Sequence, residues 1–397
     1  MNIMKHMSRV MPEDINKYFY NRKRELKILN TNLSMLEEGI TNQFLITGSR
    51  GIGKTIFLRK LLEIQPENFL TTYIDLSELY GREKGDLAAE DFIKELLCSI
   101  EECVEENDTF LEKAEKKIIY SFNQLKLKDY NFNNKSLREL PIPVVADNYN
   151  VLSKYVMELP QNIVDTFEGI TGFIIVIDEF QLLKSVKNPE ALFWLIKSFT
   201  QRQHNVCYIF TGSISNTYEI VEMMNGETGA FGGQIFQLKL NGFTKQETKI
   251  YIEGKASYIN MTPKAFDLFY EYSRGIPRYI NSLCSILPNN MVCTEEIFEK
   301  SFRQNIDNLA VLWISVWGSL SDDEKELIIS LVVNGKMNLE TVLTKISATE
   351  KELIKLFDSL TNKGIIGFST DSEYYISDIM LKRWLELKYE TGGTYPY

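Results

Sequence analysis

A short apolar segment that ends in a glycine-rich sequence is the feature that most constrains this chain. Residues 43–55 read QFLITGSRGIGKT, with Gly48 and Gly53 at the ends of the loop and Lys54 and Thr55 immediately after it. Glycines let the backbone N–H groups of such a loop turn inward around a phosphate. The helical spacing of the following IFLRKLLEI adds the positive end of a helix dipole. The order of strand, loop and helix therefore predicts a phosphate-binding loop.

The two side chains at the end of this loop have separate expected roles. Lys54 supplies a positive charge for the β- and γ-phosphate oxygens of a nucleotide, and the hydroxyl of Thr55 can ligate Mg²⁺. The alternative is a glycine-rich turn that binds nothing, and the order of the three elements argues against it. The residues expected to contact the nucleotide are Gly48, Ser49, Arg50, Gly51, Ile52, Gly53, Lys54, Thr55 and Ile56.

A pair of acidic residues follows a second apolar segment. Residues 172–181 read GFIIVIDEFQ, a buried-strand pattern that ends in Asp178 and Glu179. In P-loop NTPases, a carboxylate at the carboxyl end of a parallel strand holds Mg²⁺. An Asp-Glu pair alone more often belongs to a solvated turn or a helix start, but beside the phosphate-binding loop it predicts the second half of one site. Asp178 is then the expected Mg²⁺ partner, and Glu179 is placed to polarise an attacking water.

Length, charge and cysteine content exclude several classes of protein. A chain of 397 residues is too long for a single core and indicates two or three domains. The net charge of −10 argues against a protein that coats nucleic acid without sequence preference. Five cysteines without a Cys-x-x-Cys pair, and only two histidines, argue against a zinc site or a disulfide framework. The short apolar runs and the absence of an apolar signal segment favour a cytoplasmic protein without membrane association.

Strand-like and helix-like segments alternate up to about residue 240. Strands are expected at 43–48, 70–77, 173–178, 207–213 and 234–240, and helices at 53–65 and about 188–202. A mostly helical stretch at about 88–168 has an Asn-rich middle that reads as a loop or an insert. The alternation predicts an α/β fold with a parallel, doubly wound sheet that binds its ligand at the carboxyl ends of the strands.

The pattern changes after residue 240. Short helices are expected over 241–315, and one of them begins after the Gly275-Ile276-Pro277 break, with Arg278 in its first turn. From about residue 316, helices at 321–333, 338–346 and 349–363 precede GIIGFSTDSEYYISD, which reads as a β-hairpin around residues 370–372. The expected organisation is an α/β core over 1–240, a helical lid over 241–315 and a winged-helix domain over 316–397.

Taken together, these segments resemble the archaeal-type ATPase family, which belongs to the STAND branch of P-loop NTPases, close to AAA+ and the origin-recognition ATPases. They are Asn21-Arg22 with Glu25-Leu26, then GSRGIGKT, FIIVIDEFQ, FTGSIS, RGIPRYI and the C-terminal winged helix. The resemblance covers nearly the whole chain except residues 105–150. The loop and the Asp-Glu strand are common to P-loop NTPases, whereas DEFQ, TGS and GIPR in this order narrow the resemblance to this family.

The resemblance implies that the ligands are ATP or ADP with Mg²⁺, and it assigns the catalytic base to Glu179. Thr211 or Ser213 resembles the sensor that reads the γ-phosphate. Arg278 resembles the lid arginine that couples the nucleotide state to domain closure. Arg22 and its neighbours resemble the segment that packs near the adenine, and no Asn-Lys-x-Asp signature for guanine occurs.

One departure from the family pattern concerns a second arginine. The family usually carries Gly-Arg after the sensor strand, whereas this chain has Gly233-Gln234 at the matching position and no Lys or Arg in residues 213–238. An arginine finger contributes about 10³- to 10⁵-fold to turnover. Slow basal hydrolysis is therefore expected unless Arg50 or Arg202 takes that place, although Arg202 also reads as a solvated helix end. Without this arginine, a ring in which each subunit donates an arginine to its neighbour's site is less expected. The sequence does not determine the oligomeric state.

The charge of the C-terminal region does not favour DNA binding. Residues 321–391 contain nine Lys and Arg against thirteen Asp and Glu. The expected recognition helix balances its lysines with acidic residues, and the wing FSTDSEYY has no basic residue. Because a DNA-binding surface needs several cations on phosphates, a protein partner or an intramolecular regulatory role is favoured.

Three functions are compatible with this sequence. The first is an ATP-driven conformational switch that hydrolyses ATP slowly and relays the nucleotide state through the lid and winged helix to a protein partner. The second is a DNA-associated ATPase of origin-recognition or mobile-element type. The third is a scaffold that binds ATP without hydrolysing it, against which the intact Glu179 argues.

Overall fold

The computed structural model describes residues 15–105, 149–213, 235–289, 291–369 and 371–396. Most of the expected insert at 105–150 and the Gly233-Gln234 pair lie outside these residues. The described residues form two compact units. The first contains a β-sheet with its helices up to Lys239. The second contains residues 48–53 and the chain from Leu240 onward.

A five-stranded parallel sheet lies at the centre of the first unit, as the alternating pattern predicts. Its strands are β1 (Gln43–Gly48), β2 (Phe69–Asp75), β3 (Gly172–Asp178), β4 (Val206–Ser213) and β5 (Ile235–Leu240), in the order β2-β3-β4-β1-β5. Every residue of β1 and β3 is buried. Such continuous burial is expected of strands whose two faces are covered. The fold class predicted from the sequence is confirmed.

Seven helices accompany the sheet in the described part of this unit. They are α1 (Ile15–Tyr18), α2 (Lys23–Leu33), α3 (Lys54–Glu63), α4 (Leu76–Arg82), α5 (Ala89–Glu105), α6 (Tyr149–Thr166) and α7 (Pro189–Thr200). The apolar faces of α4, α5, α6 and α7 share one hydrophobic core with the strands, in which Phe180 packs between Phe193 and Phe210 with ring centroids 5.1 and 4.6 Å away. This core fixes the position of the β3 end that carries the acidic pair.

The helical spacing at residues 16–38 does not produce one continuous helix. Asn21 and Arg22 both adopt left-handed backbone conformations, with φ of 60° and 63°, and separate α1 from α2. The Arg22 side chain is buried, in contrast to Lys23 and Arg24, which are exposed. Of the three consecutive basic residues Arg22, Lys23 and Arg24, only Lys23 and Arg24 therefore lie on a solvated helix face.

The second unit begins with short helices, as expected. They are α8 (Lys245–Lys255), α9 (Pro263–Ser273), α10 (Pro277–Ile286), α11 (Glu295–Leu309) and α12 (Val311–Gly318), with a parallel pair β6 (Asn260–Met261) and β7 (Val292–Cys293). Threonine side chains at positions 244, 262 and 294 accept a backbone N–H at the start of α8, α9 and α11. These N-caps explain why the helices start where they do.

Three more helices and a hairpin follow. They are α13 (Asp322–Asn334), α14 (Leu339–Leu343) and α15 (Glu350–Asn362), then the antiparallel strands β8 (Ile366–Phe368) and β9 (Tyr374–Ile376), and the last helix α16 (Ile379–Gly392). Ser321 and Thr349 form capping boxes with Glu324 and Glu352. The elements lie where the sequence predicts them. Their separation as a winged-helix domain from residue 316 stays a prediction, as does the lid boundary.

A glycine in the Gly-Ile-Pro-Arg turn holds together two segments of the helical region after residue 240. Gly275 has a φ of +68° and accepts a hydrogen bond from the backbone N–H of Phe243 (2.8 Å). A Cβ at position 275 would lie 1.9 Å from the carbonyl oxygen of Phe243. Alanine would therefore strain the backbone and push the two segments apart.

We expect Gly275→Ala to lower the free energy of unfolding by at least about 2 kcal/mol, because it combines a left-handed conformation with a steric overlap. Denaturant unfolding followed by tryptophan fluorescence measures this change. Gly254→Ala is the matched control, since a Cβ at this position in α8 meets nothing within 4 Å. The control should gain roughly 0.5–1 kcal/mol. Equal stability of the two variants would contradict the assigned role of Gly275.

Candidate functional site

The glycine-rich loop leads from β1 to the start of α3, as the motif requires. Ile52 is buried, and its backbone N–H donates to the carbonyl of Ser49 (3.1 Å), which closes the loop on itself. Gly51 and Gly53 have φ of +80° and +95°, in the region that favours glycine. Arg50 is exposed at the tip of the loop.

The loop packs against the start of α10 within the second unit. The backbone N–H of Arg278 donates to the carbonyl of Gly51 (3.2 Å). A Cβ on Gly51 would lie only 2.5 Å from the Cβ of Arg278, so the arginine stem rests against the loop backbone. The side chain of Arg278 is exposed. The two residues that the sequence predicts for phosphate binding and lid coupling are thus in direct contact.

Lys54 and Thr55 form the first turn of α3. Lys54 is 7% exposed, and the hydroxyl of Thr55 donates to Oδ2 of Asp178 (3.1 Å). Ile56 follows in the same turn and is half-buried. The structure therefore brings together the hydroxyl and the carboxylate that the sequence assigns to Mg²⁺.

Asp178 receives hydrogen bonds on both carboxylate oxygens. Oδ1 accepts from the backbone N–H of Glu179 (3.0 Å) and from the hydroxyl of Thr211, and Oδ2 accepts from Thr55 and from the hydroxyl of Tyr73. Asp178 is 3% exposed. A buried carboxylate surrounded by donors keeps a fixed orientation, which suits a residue that must present oxygen to a cation.

Tyr73 is a site residue that the sequence analysis did not find. The register of β2 and β3 pairs Asp75 with Asp178, so Tyr73 lies two residues away on the same face of the sheet. Burial, reinforced by the neighbouring Asp178 carboxylate, raises the pKa of Tyr73 above its ordinary value, so the phenol stays protonated and donates. Period-two alternation within LTTYIDLS puts Tyr73 and Asp75 on one face, but only the register connects them to Asp178.

Asp75 has a different role although it lies opposite Asp178 in the sheet. Its Oδ1 accepts from the backbone N–H (2.9 Å) and the hydroxyl (2.6 Å) of Ser77, and it caps the N-terminus of α4. A carboxylate in this position stabilises the helix start. Asp75 therefore caps α4, whereas Asp178 belongs to the candidate site.

Glu179 has a left-handed conformation with φ of 55°, and a 3₁₀ turn at Phe180–Ser185 follows it. Its Oε2 accepts a hydrogen bond from the side-chain amide of Gln181. Non-glycine residues in this conformation are uncommon and concentrate at functional sites. The backbone conformation of Glu179 and the hydrogen bond from Gln181 together fix the position of the Glu179 carboxylate. A general base requires such a fixed position.

Thr211, the first of the two expected sensors, is fully buried at the end of β4. Its hydroxyl donates to Asp178, and its Oγ1 accepts from the backbone N–H of Glu179 (3.2 Å). The structure thus uses Thr211 to support both acidic residues. A role at the γ-phosphate stays a prediction for Thr211 and for Ser213, the last residue of β4, whose side chain lies outside the described part.

A comparison with protein-family models matches residues 19–283 to an ATPase domain found predominantly in Archaea. The matched residues include the loop, the acidic pair, Thr211 and Arg278, and they span more than half of the chain. The chain belongs to this archaeal ATPase family. Its P-loop is accordingly an ATP-binding site. A search of curated proteins found no match to the sequence.

Solved structures with the same fold include other ATPases. A Walker-type ATPase of Pyrococcus abyssi is 18% identical, with a TM-score of 0.63 over 93% of this chain and 96% of that one. The Aeropyrum pernix ORC2 protein, solved in ADPNP–ADP complexes, is 14% identical, with a TM-score of 0.53 over 93% of both chains. At these identities the similarity establishes the fold of the archaeal ATPase domain.

In this archaeal ATPase, Arg22 is 7% exposed and forms an ion pair with Glu25 (3.7 Å). Its αL conformation turns the chain into α2. A buried arginine in a left-handed turn is a feature of a fixed site rather than of a solvated surface. Its placement near the adenine stays a prediction.

The two proposed substitutes for the arginine finger lie in different places. Arg202 is exposed and stacks over the ring of Phe199 (5.7 Å), before β4 begins. The strand rises by about 16 Å between Val206 and Thr211, and Arg202 lies before its other end. Arg202 therefore does not complete the site of its own chain. Arg50 is exposed on the loop itself and remains the candidate among the described residues.

The donors near Asp178 fit the expected cation. Mg²⁺ is a hard cation that prefers oxygen ligands, and it keeps several waters when one carboxylate and substrate phosphates supply the rest. The Thr55 hydroxyl and the Asp178 carboxylate, 3.1 Å apart, are such a donor set. These two residues therefore fit Mg²⁺, and their role in holding it stays a prediction.

Charge on the C-terminal helices agrees with the balance seen in the sequence. On the exposed face of α15, Lys351 and Lys355 stand among Glu350, Glu352 and Asp358. Lys363 pairs with Glu324 (2.5 Å), so its charge is already matched. Across the described part of the chain, no helix has both the length and the apolar character that crossing a bilayer requires.

Proposed function

We propose that this archaeal ATPase is a slow ATP-hydrolysing switch whose lid relays the nucleotide state to a protein partner. The contact of Arg278 with Gly51 carries the proposal. A backbone hydrogen bond joins the loop that binds phosphate to the first turn of a lid helix, so a change in the loop reaches α10 directly. The Aeropyrum pernix ORC2 protein, which has a similar fold, was solved in ADPNP–ADP complexes, and this supports an adenine nucleotide as the ligand.

The path from the lid continues through Tyr279, the residue after Arg278. Its hydroxyl donates to Asp378, which caps α16 by accepting from the backbone N–H of Met380 (2.9 Å) and Leu381 (3.1 Å). The indole N–H of Trp313 donates to the same tyrosine oxygen (3.2 Å). A rotation of α10 would therefore disturb the start of the last helix, as a relay to the C-terminal region requires.

Hydrolysis needs a base beside the attacking water and a positive charge on the phosphates. We assign the base to Glu179, which Gln181 holds in place, and the charge to Lys54 at the start of α3. Bound Mg²⁺ would neutralise the charge of the phosphate oxygens. Without a matched arginine finger, turnover would remain slow until a partner supplies one.

The surface of the C-terminal helices supports a protein as the partner. The side chains of Ile354 on α15 and Phe368 on the wing are 43% and 55% exposed. Apolar side chains among balanced charges suit a protein surface better than a phosphate backbone, which needs clustered cations. Salt-sensitive binding of duplex DNA at low micromolar concentration would instead favour the alternative of a DNA-associated ATPase.

Tryptophan emission from the second unit offers a direct test of the relay. In a Trp194→Phe background, the emission comes from Trp313, Trp317 and Trp384. ATP with Mg²⁺ should change this emission when Arg278 is intact. Arg278→Ala should retain ATP affinity within about tenfold, because one exposed ionic contact contributes roughly 1 kcal/mol or less. The variant should nevertheless lose the fluorescence change.

Lys264→Ala serves as the control because Lys264 is an exposed lysine on the neighbouring helix α9. It should keep both the affinity and the signal. An unaltered fluorescence response in Arg278→Ala, which keeps the backbone hydrogen bond to Gly51, would remove the Arg278 side chain from the relay. A response that disappears equally in Lys264→Ala would show that the effect is not specific to the loop contact.

A further inference from the structure

The hydroxyl of Tyr73 donates a hydrogen bond to Asp178. Tyr73 lies on β2, a strand that carries none of the residues predicted from the sequence motifs. Tyr73 lies in the middle of β2, and its hydroxyl meets the same Oδ2 that Thr55 reaches from α3. One oxygen of the Mg²⁺ carboxylate is therefore held from two sides. Neither the phosphate-binding loop nor the Asp-Glu strand explains why a phenol stands there.

Arg59 fixes the ring that carries this hydroxyl. The guanidinium of Arg59 lies 5.1 Å from the centre of the Tyr73 ring, and the residue is 3% exposed. Its Nε and Nη1 meet no hydrogen-bond acceptor in the described part of the chain. A buried guanidinium without these hydrogen bonds is costly, and its position over the aromatic face offsets part of that cost.

The spacing along α3 joins the two residues to the site. Arg59 follows Thr55 by four residues, so the two side chains lie on one face of the helix, a single turn apart. Successive contacts thus connect four side chains: the hydroxyl of Thr55, the carboxylate of Asp178, the phenol of Tyr73 and the guanidinium of Arg59. The first two are the predicted Mg²⁺ residues, and the other two stand directly behind them.

We propose that Tyr73 is a positioning residue that orients Asp178 for Mg²⁺ and that Arg59 acts through Tyr73 by holding its ring. This inference rests on the proposed function, since it concerns the metal that accompanies the nucleotide. Groups that hydrogen-bond to a metal ligand restrict its orientation, and their loss typically weakens metal affinity about 10- to 100-fold. The phenol hydroxyl should act in this way on Oδ2.

Tyr73→Phe tests the proposal because it removes the hydroxyl and keeps the ring. Binding of Mn²⁺ to the protein with saturating ADP, measured by electron paramagnetic resonance, should weaken about 10- to 100-fold. The affinity for a fluorescent ADP analogue in EDTA should stay within about twofold of wild type, because the loop and Lys54 do not depend on Tyr73. Tyr208→Phe is the control, since this buried tyrosine of β4 stacks on Phe210 instead.

The role of Arg59 has its own test. Arg59→Leu should weaken Mn²⁺ binding less than Tyr73→Phe does, and the double variant should bind no more weakly than Tyr73→Phe alone. Such non-additivity is expected when one residue acts through the other. Additive losses would show that Arg59 acts independently of the phenol and would overturn its assigned role.

The possible outcomes separate this inference from the proposed function. Wild-type Mn²⁺ affinity in Tyr73→Phe would overturn the positioning role. An equal loss of Mn²⁺ affinity and metal-free ADP affinity would do the same, because it would indicate general damage to the fold. A wild-type protein that binds no ADP analogue at all would contradict the proposed function itself, and the positioning role with it.

Discussion

Replacing Lys54 with alanine is expected to raise the Kd for ATP by about 10²- to 4 × 10³-fold. Lys54 is 7% exposed at the start of α3, where the loop ends. Removal of a buried charge that faces phosphate oxygens costs about 3–5 kcal/mol, and each 1.4 kcal/mol corresponds to a factor of ten. Titration with a fluorescent ATP analogue measures the loss.

Two further variants separate charge from packing. Lys54→Met keeps most of the stem and removes the ammonium group, so it should lose nearly as much affinity as Lys54→Ala while retaining more stability. Lys60→Ala removes a lysine from the last turn of the same helix, where it pairs with Glu63 (2.8 Å), and should bind ATP normally. Wild-type ATP affinity in Lys54→Met would refute the assignment of Lys54 to the phosphates.

Glu179→Gln is expected to reduce the rate of ATP hydrolysis by about 10²- to 10⁴-fold, the range typical for loss of a general base. The substitution keeps the size of the side chain and one oxygen that can accept the hydrogen bond from Gln181. It removes the carboxylate that accepts the proton from water. Affinity for ATP should remain, since Glu179 does not contribute to the phosphate-binding loop. Phosphate release and analogue binding measured on the same preparation give both quantities.

An acidic residue outside the site provides the control for this change. Glu190→Gln alters an exposed carboxylate in the first turn of α7 and should hydrolyse ATP at the wild-type rate. If Glu179→Gln also retained that rate, another group would have to act as the base. If it lost ATP binding, the carboxylate would have a structural role instead.

Much of the fold was predictable from the sequence because apolar runs and helix caps are local signals. The strands at 43–48 and 173–178 lie within one residue of their expected bounds, and the capped helices after residue 240 begin near their predicted starts. The order of strands in the sheet was not predictable in detail, since it depends on long-range pairing. The break at Asn21 and Arg22 was missed because residues on both sides keep helical spacing.

The site was predictable only where its residues lie in one segment. The loop residues and the acidic pair have fixed spacing in the chain, and the structure brings Thr55 and Asp178 together as expected. Tyr73 and Arg59 carry no motif, and their contribution follows from the register of β2 with β3 and from one helical turn. The support that Thr211 gives to Asp178 likewise depends on where β4 ends beside β3.

A single-turnover experiment on the Trp194→Phe protein, which follows phosphate release and the tryptophan emission of the second unit together, tests the central claim most directly. The account predicts that emission changes when ATP and Mg²⁺ bind and that it returns at the rate of phosphate release. In Glu179→Gln, the emission change should persist while phosphate is not released. Phosphate release without any change in emission, or an emission change that decays equally fast in Glu179→Gln, would contradict an ATP-hydrolysing switch.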